Sequence, residues 1–152
     1  MNKMTNERGP RLSAETVHAS TVALDGRAVL ITGPSGSGKS DLTLRMLDRG
    51  FTLVSDDQTI VKKIGNALLA SAPPTIAGKL EIRGVGIVEM ERTDNVPVAL
   101  IVELTSEFQR LPDDSRERPI LGLKIPLVTI DAMTASAPSK VAIALDRMGL
   151  KF

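Results

Sequence analysis

The sequence predicts an α/β fold in which a mixed sheet carries a phosphate loop (P-loop) and is flanked by helices. Three observations predict it. The octapeptide Gly33-Pro34-Ser35-Gly36-Ser37-Gly38-Lys39-Ser40 lies between a strand-like and a helix-like run. Short β-type runs are separated by turn dipeptides such as Asp25-Gly26 and Gly65-Asn66. Two longer apolar runs, Val98 to Leu104 and Ile125 to Ile130, have the composition of strands covered on both faces.

The elements follow in order. Residues 1–13 are polar and read as a disordered tail, and 14–152 as one domain, a size that 152 residues at 42% hydrophobic content suit. Val22-Ala23-Leu24 and Ala28 to Ile31 flank Asp25-Gly26-Arg27 and form a hairpin, because Asp and Gly both tolerate positive φ. After the glycine-rich loop, Ser40 to Arg49 is a helix with Leu42, Met46 and Leu47 inward and Gly50 as its stop. Phe51 to Val54 is a short strand ending at Ser55-Asp56-Asp57. Ile60-Val61 and Ala67 to Leu69 bracket a second hairpin. In Lys79 to Val88, Gly84 and Gly86 imply close backbone approach or a kink. Ser106 to Arg118 is a polar loop long enough to carry function, although a solvated surface loop has the same appearance. The chain closes on a helix from about Pro138, with Val141, Ala144, Leu145 and Met148 on one face and Gly149 as its cap.

Composition removes several function classes. Lysine plus arginine number 19 against 18 acidic residues, with no long basic run, which disfavours nucleic acid as a partner. Cysteine is absent and His18 is the single histidine, so disulfides, thiol nucleophiles and multi-histidine metal sites are excluded. No run is apolar and long enough for a signal peptide or a membrane span, so no membrane contact and a cytoplasmic location are expected.

Gly33, Gly38, Lys39 and Ser40 satisfy G-x-x-x-x-G-K-[ST] in the strand-loop-helix setting that gives the pattern its meaning. Glycines let amides from Gly33 to Ser40 point at phosphate oxygens. Lys39 reaches the terminal phosphates, and the Ser40 hydroxyl is placed to hold Mg²⁺. Such a loop says nothing about what receives the phosphoryl group. Asp56-Asp57, at the end of the strand after the loop's helix, admits two readings. One carboxylate accepts a hydroxyl proton while the other supports Mg²⁺, which requires a backbone turn at Asp56, or the pair is an Asx turn that ends a strand. His18, Glu81 and Arg83 likewise read as a hydrogen-bonded structural histidine and a solvated strand face when taken alone.

Val17-His18-Ala19, GPSGSGKS, LVSDD and LEIRGVGIVEM, in this order and spacing, resemble the HPr kinase/phosphorylase family, and ILGLKIPLVTI extends the resemblance to about Ile130. The resemblance implies an HPr kinase/PEP carboxykinase-like fold and ATP-dependent phosphorylation of a serine on the phosphocarrier protein HPr. In many members phosphorolysis reverses the reaction, and the catalytic domain is typically a homohexamer. On the matching positions it implies His18 as a catalytic-site histidine, Lys39 as the phosphate-binding lysine, and Ser40 and Glu81 as Mg²⁺-site residues. Asp56 and Asp57 match the pair supplying the proton acceptor, and Arg110 matches an active-site arginine. Two departures stand out. The family's N-terminal regulatory domain has no counterpart before His18, and Ala137-Pro138-Ser139-Lys140 replaces a Pro-Gly-Arg-like motif, which weakens the expectation of phosphorolysis more than that of kinase activity. A small-molecule kinase and a non-catalytic nucleotide-sensing module are the alternatives.

Overall fold

The computed structural model describes residues 13–106 and 116–152. Among them the strands are β1 (Ala14–Val17), β2 (Ser20–Leu24), β3 (Arg27–Thr32), β4 (Thr52–Ser55), β5 (Thr59–Ile64), β6 (Ala67–Ser71), β7 (Lys79–Ile82), β8 (Gly86–Glu89), β9 (Val96–Leu104), β10 (Glu117–Ile120) and β11 (Leu123–Ile130). The helices are α1 (Lys39–Asp48) and α2 (Ala137–Met148).

Nine strands form one mixed sheet in the order β1-β5-β6-β9-β3-β2-β4, with β11 also on β9 and β10 on β11. β9 is the axis of this sheet. On one edge it pairs in parallel with β3; on the other its start meets β6 antiparallel and its end meets β11 in parallel, so the sheet forks there. The run that reads as doubly covered is so: Val98 through Val102 are each 0% exposed. One face packs Val29, Ile31, Leu100 and Val102 against Leu42 and Met46 of α1 and Val141 and Leu145 of α2. The opposite face closes on itself, with Leu30, Val61, Leu68, Ile101, Ile120 and Ile125 contributed by strands alone. Both helices therefore share one apolar cluster, which ties the phosphate loop's helix to the C-terminal helix.

The first hairpin forms as expected, with Leu24 opposite Arg27 and positive φ at Asp25 (52°) and Gly26 (76°). Arg27, the residue leaving that turn, donates through Nη1 to the carbonyls of Leu145 and Leu150, so the hairpin caps the C-terminal end of α2.

Three expectations are corrected, and the Gly149 cap is found as expected. Lys79 to Glu89 is a hairpin rather than one kinked strand: Gly84 and Gly86 supply positive φ at its turn, and nothing lies within 4 Å of a Cβ placed on either, so close approach is not their purpose. The end of the polar loop, Glu117 and Arg118, belongs to β10. Met148 is 36% exposed rather than inward. Gly149 ends α2 without a left-handed φ; a Cβ there would meet the Leu145 carbonyl oxygen at 2.5 Å, so crowding requires the glycine.

Candidate active site

β3 delivers the chain into the phosphate loop and α1 takes it away at Lys39. Two glycines are required by what surrounds them. A Cβ on Gly33 (φ 152°) would lie 2.7 Å from Ser37 Oγ, and one on Gly38 (φ 101°) would lie 3.3 Å from the Cβ of Ala132. The Ser37 amide donates to the Pro34 carbonyl (3.1 Å), closing the loop on itself. Lys39 is 7% exposed and its Nζ donates to the carbonyls of Gly33 (2.8 Å) and Pro34 (3.1 Å), which holds the ammonium at the mouth of the loop. The first amides of α1 have no intrahelical acceptor and carry the positive end of the helix dipole. Ser37 Oγ is buried with no partner, a donor the loop itself does not use.

Beside the loop, β4 ends at Ser55 and the backbone turns sharply. The Gln58 amide donates to the Asp56 carbonyl (2.8 Å) across Asp57, whose φ is 71°. This is a γ-turn geometry that a non-glycine residue adopts only under constraint. Its consequence is that two adjacent carboxylates part company. Asp56 is 8% exposed and points inward: Oδ1 accepts from Ser20 Oγ (3.0 Å) and Ser40 Oγ (2.9 Å), and Oδ2 accepts from the Glu81 amide (3.1 Å). Asp57 points outward with its side chain 62% exposed, and its Oδ1 lies 2.9 Å from His18 Nε2. Ser20 serves both neighbours, since its Oγ also accepts from the Asp57 amide (3.0 Å). Below it, the buried Thr59 hydroxyl donates to the Ala19 carbonyl and accepts from Thr21, fixing β2 against the start of β5.

These parts line one cleft of about 550 Å³, to which Lys39, Ser40, Asp57, Glu81 and Arg83 contribute. That volume falls in the range of small-ligand sites, roughly 300–1,000 Å³. The residues fit a polyphosphate: the backbone of Ser35, Gly36 and Gly38, the Lys39 ammonium and the Ser40 hydroxyl line it from the loop. They also fit Mg²⁺ bound with it. Among the described residues no group of three or more His, Asp or Glu converges as a self-sufficient metal site. Mg²⁺ does not need one, because it commonly takes one or two protein oxygens alongside phosphate oxygens and water. Ser40 Oγ, the Asp56 carboxylate behind it and the Glu81 carboxylate are the groups present to hold it.

A family model described as the HPr Serine kinase C-terminal domain matches residues 11–147. The chain belongs to this family. It is 38% identical over 128 residues to the HPr kinase/phosphorylase of Alkaliphilus metalliredigens, a match covering 76% of this chain and 41% of that protein. It is 37% identical over 127 residues to that of Chlorobaculum tepidum, covering 74% and 37%. The chain thus spans about two fifths of the length of these curated relatives. A solved structure titled as the HPr(Ser) kinase/phosphatase from Coxiella burnetii superposes with a TM-score of 0.75 at 29% identity, covering 87% of this chain and 94% of that one. The HPr kinase family fold expected from the motifs is therefore the fold observed.

Of the residues singled out from the sequence, Ser35, Gly36, Gly38, Lys39, Ser40, Asp57 and Glu81 line the cleft, and Gly33, Pro34 and Ser37 complete the loop. His18 and Asp56 reach it through their bonds to Asp57 and Ser40. Arg110 lies outside the described residues. Sequence reasoning missed Ser20, which follows the noted Val17-His18-Ala19 motif, and it missed Asp41, Leu44, Arg45, Ile82, Ala132 and Met133, which with Arg83 complete the lining. Leu44 was detectable in principle: four residues after Ser40, it falls on the same helix face one turn on.

Proposed function

We propose that the chain is the catalytic domain of an ATP-dependent protein-serine kinase that phosphorylates an HPr-type phosphocarrier protein, with phosphorolysis of the phosphoserine a secondary reaction that the Ala137-Pro138-Ser139-Lys140 departure supports less. Family membership supports the class of reaction. The local observation that carries it is the divergence of the acidic pair: Asp56 is held on Ser40 at 2.9 Å while Asp57 faces the cleft that Lys39 also lines. A Mg²⁺-dependent, cytoplasmic, homohexameric enzyme accompanies this reading.

In this mechanism the loop amides and Lys39 bind the β- and γ-phosphates and stabilise charge that builds on them. Bound Mg²⁺ supplies neutralisation of the phosphate oxygens. Ser40 presents its hydroxyl oxygen to that site, and Asp56, buried and triply bonded, holds Ser40 in place. The acceptor seryl hydroxyl enters from the open side. Asp57 takes its proton as the seryl oxygen bonds to the γ-phosphorus, and the bond from that phosphorus to the β,γ-bridging oxygen breaks, leaving ADP. His18 keeps the Asp57 carboxylate oriented. In phosphorolysis, a separate reaction of the same groups, an oxygen of inorganic phosphate bonds to the phosphoserine phosphorus as the bond from that phosphorus to the seryl oxygen breaks, giving pyrophosphate, and protonated Asp57 gives its proton to the seryl oxygen.

The experiment is to incubate the purified chain with Mg-ATP and either an HPr-type phosphocarrier or a panel of hydroxylated metabolites, reading products by mass spectrometry. One phosphoserine on the carrier is the expected result. Phosphorylated metabolites with an unmodified carrier would make the chain a small-molecule kinase, and binding of ATP without turnover on either would make it a nucleotide sensor.

A further inference from the structure

The cleft lining runs from the loop onto α1, and beside the charged Asp41, Arg45 and Arg83 it includes three apolar side chains. Leu44, one helical turn or about 6 Å past Ser40, lies in its lining. Ile82, at the end of β7, contributes from the hairpin, and Met133 contributes from the connection between β11 and α2. Met133 is 76% exposed, as Val85 (73%) and Ile87 (71%) on the neighbouring hairpin are, and of these three it alone lines the cleft.

The segment that presents Met133 is locked. Its neighbour Ala132 is 2% exposed and lies against Gly38, the residue capping α1. Arg45, one position after Leu44, bonds the carbonyls of Ala132 and Thr134 (3.3 Å to the latter) and, through Nε, Asp41 (3.1 Å). The Arg45 guanidinium is committed to two main-chain carbonyls of one segment and to the Asp41 carboxylate. It therefore serves as a strut that holds Met133 beside the loop and not as a further phosphate ligand.

We propose that Leu44, Ile82 and Met133 form the subsite for the purine ring of the nucleotide, with Arg45 as the positioning residue that fixes its Met133 wall. This rests on the kinase reading above. A flat ring with apolar faces suits three aliphatic walls, whereas the phosphates need only the loop. A flexible thioether also adapts to an aromatic face better than a branched side chain does.

The division predicts that nucleoside and phosphate contributions to affinity separate. Binding of Mg-ATP and of Mg-tripolyphosphate, which has phosphates and no base, would be measured by calorimetry for the wild-type chain, Met133→Ser and Met133→Phe. Loss of the thioether should weaken Mg-ATP about fivefold or more and leave Mg-tripolyphosphate within about twofold, while Phe should match or exceed the wild type for Mg-ATP. Met133 is solvent-facing, so neither variant disturbs the core. If Met133→Ser affects both ligands alike, or neither, the subsite is elsewhere although the phosphate site stands. If the wild-type chain binds neither ligand, the kinase reading fails, and the subsite with it.

Discussion

The two flanks of the phosphate loop are built on opposite principles. The acidic flank is a closed polar network, in which buried Ser20 and Asp56, half-buried Ser40 and the Glu81 amide satisfy one another within 2.9–3.1 Å. The far flank is apolar and open, with Met133 and Ile82 on segments fastened from behind by Arg45 and by the hairpin. The difference teaches where geometry matters most. A carboxylate that positions its neighbours is fixed by several directional bonds, while a surface that offers only apolar area needs little direction. Within the acidic flank the same contrast recurs at one residue's distance, since Asp56 is locked and Asp57 is left to face solvent.

The largest expected effect falls on the exposed member. Asp57→Asn keeps the shape of the turn and removes the proton acceptor, so kcat for carrier phosphorylation should fall about 10²- to 10⁴-fold with nucleotide affinity nearly unchanged. Steady-state kinetics beside calorimetry would check this; an unaltered kcat would leave Asp57 without its assigned role. Next comes the buried member. Asp56→Ala strands Ser20, Ser40 and the Glu81 amide without their acceptor and should cost about 2–4 kcal/mol of stability. Thermal unfolding would show it as a drop of roughly 5–15 °C, where Asp57→Asn shows almost none. Equal melting temperatures for the two variants would erase the contrast between them. Smaller again, His18→Gln should lower kcat about tenfold, because Gln retains one donor toward Asp57 but not the ring's fixed direction. A loss as deep as that of Asp57→Asn would instead give His18 the proton-transfer role.

Much of the fold was readable before any coordinates, for reasons visible in particular residues. Asp25-Gly26 dictates its hairpin locally, and the apolar run of β9 needs cover on both faces wherever it lies. Such signals are contained within a few residues. β1 carried no signal, because Ala14, Glu15 and Thr16 are exposed and the strand exists only through pairing with β5. β10 was concealed by Glu117, Arg118 and Pro119, whose charges and ring suit an edge strand as well as a loop; Arg116 and Arg118 both bond Glu103. At the site, the glycine-rich loop between β3 and α1 was legible as a loop because its signal is local. Ser20 and Arg45 were not, since each acts on a partner far along the chain, Asp56 and the Ala132 carbonyl respectively. The acidic pair lay between these cases: alternation along a strand says that only one carboxylate can face the site, and only the φ of Asp57 shows how the chain reverses to give each its own direction.

That φ supports the smallest and most discriminating test. A non-glycine residue at 71° carries a steric cost of about 1–2 kcal/mol, at the lower end for Asp, which tolerates positive φ better than most. Asp57→Gly removes the cost, but glycine gives back about 0.5–1 kcal/mol through the freedom of the unfolded chain, and the exposed contact with His18 is lost as well. The net expectation is a gain of at most about 0.5 kcal/mol, or 1–2 °C in melting temperature, in a variant that no longer transfers phosphate. Asp57→Asn, equally inactive, keeps its side chain in the turn and should not gain. A stabilised glycine variant beside an unchanged asparagine variant would mean that the turn is strained so that Asp57 can stand in the cleft, a cost in stability retained for function. If glycine instead destabilises the chain as Asp56→Ala does, Asp57 supports the fold in the way Asp56 does, and the division of labour between the two carboxylates is lost.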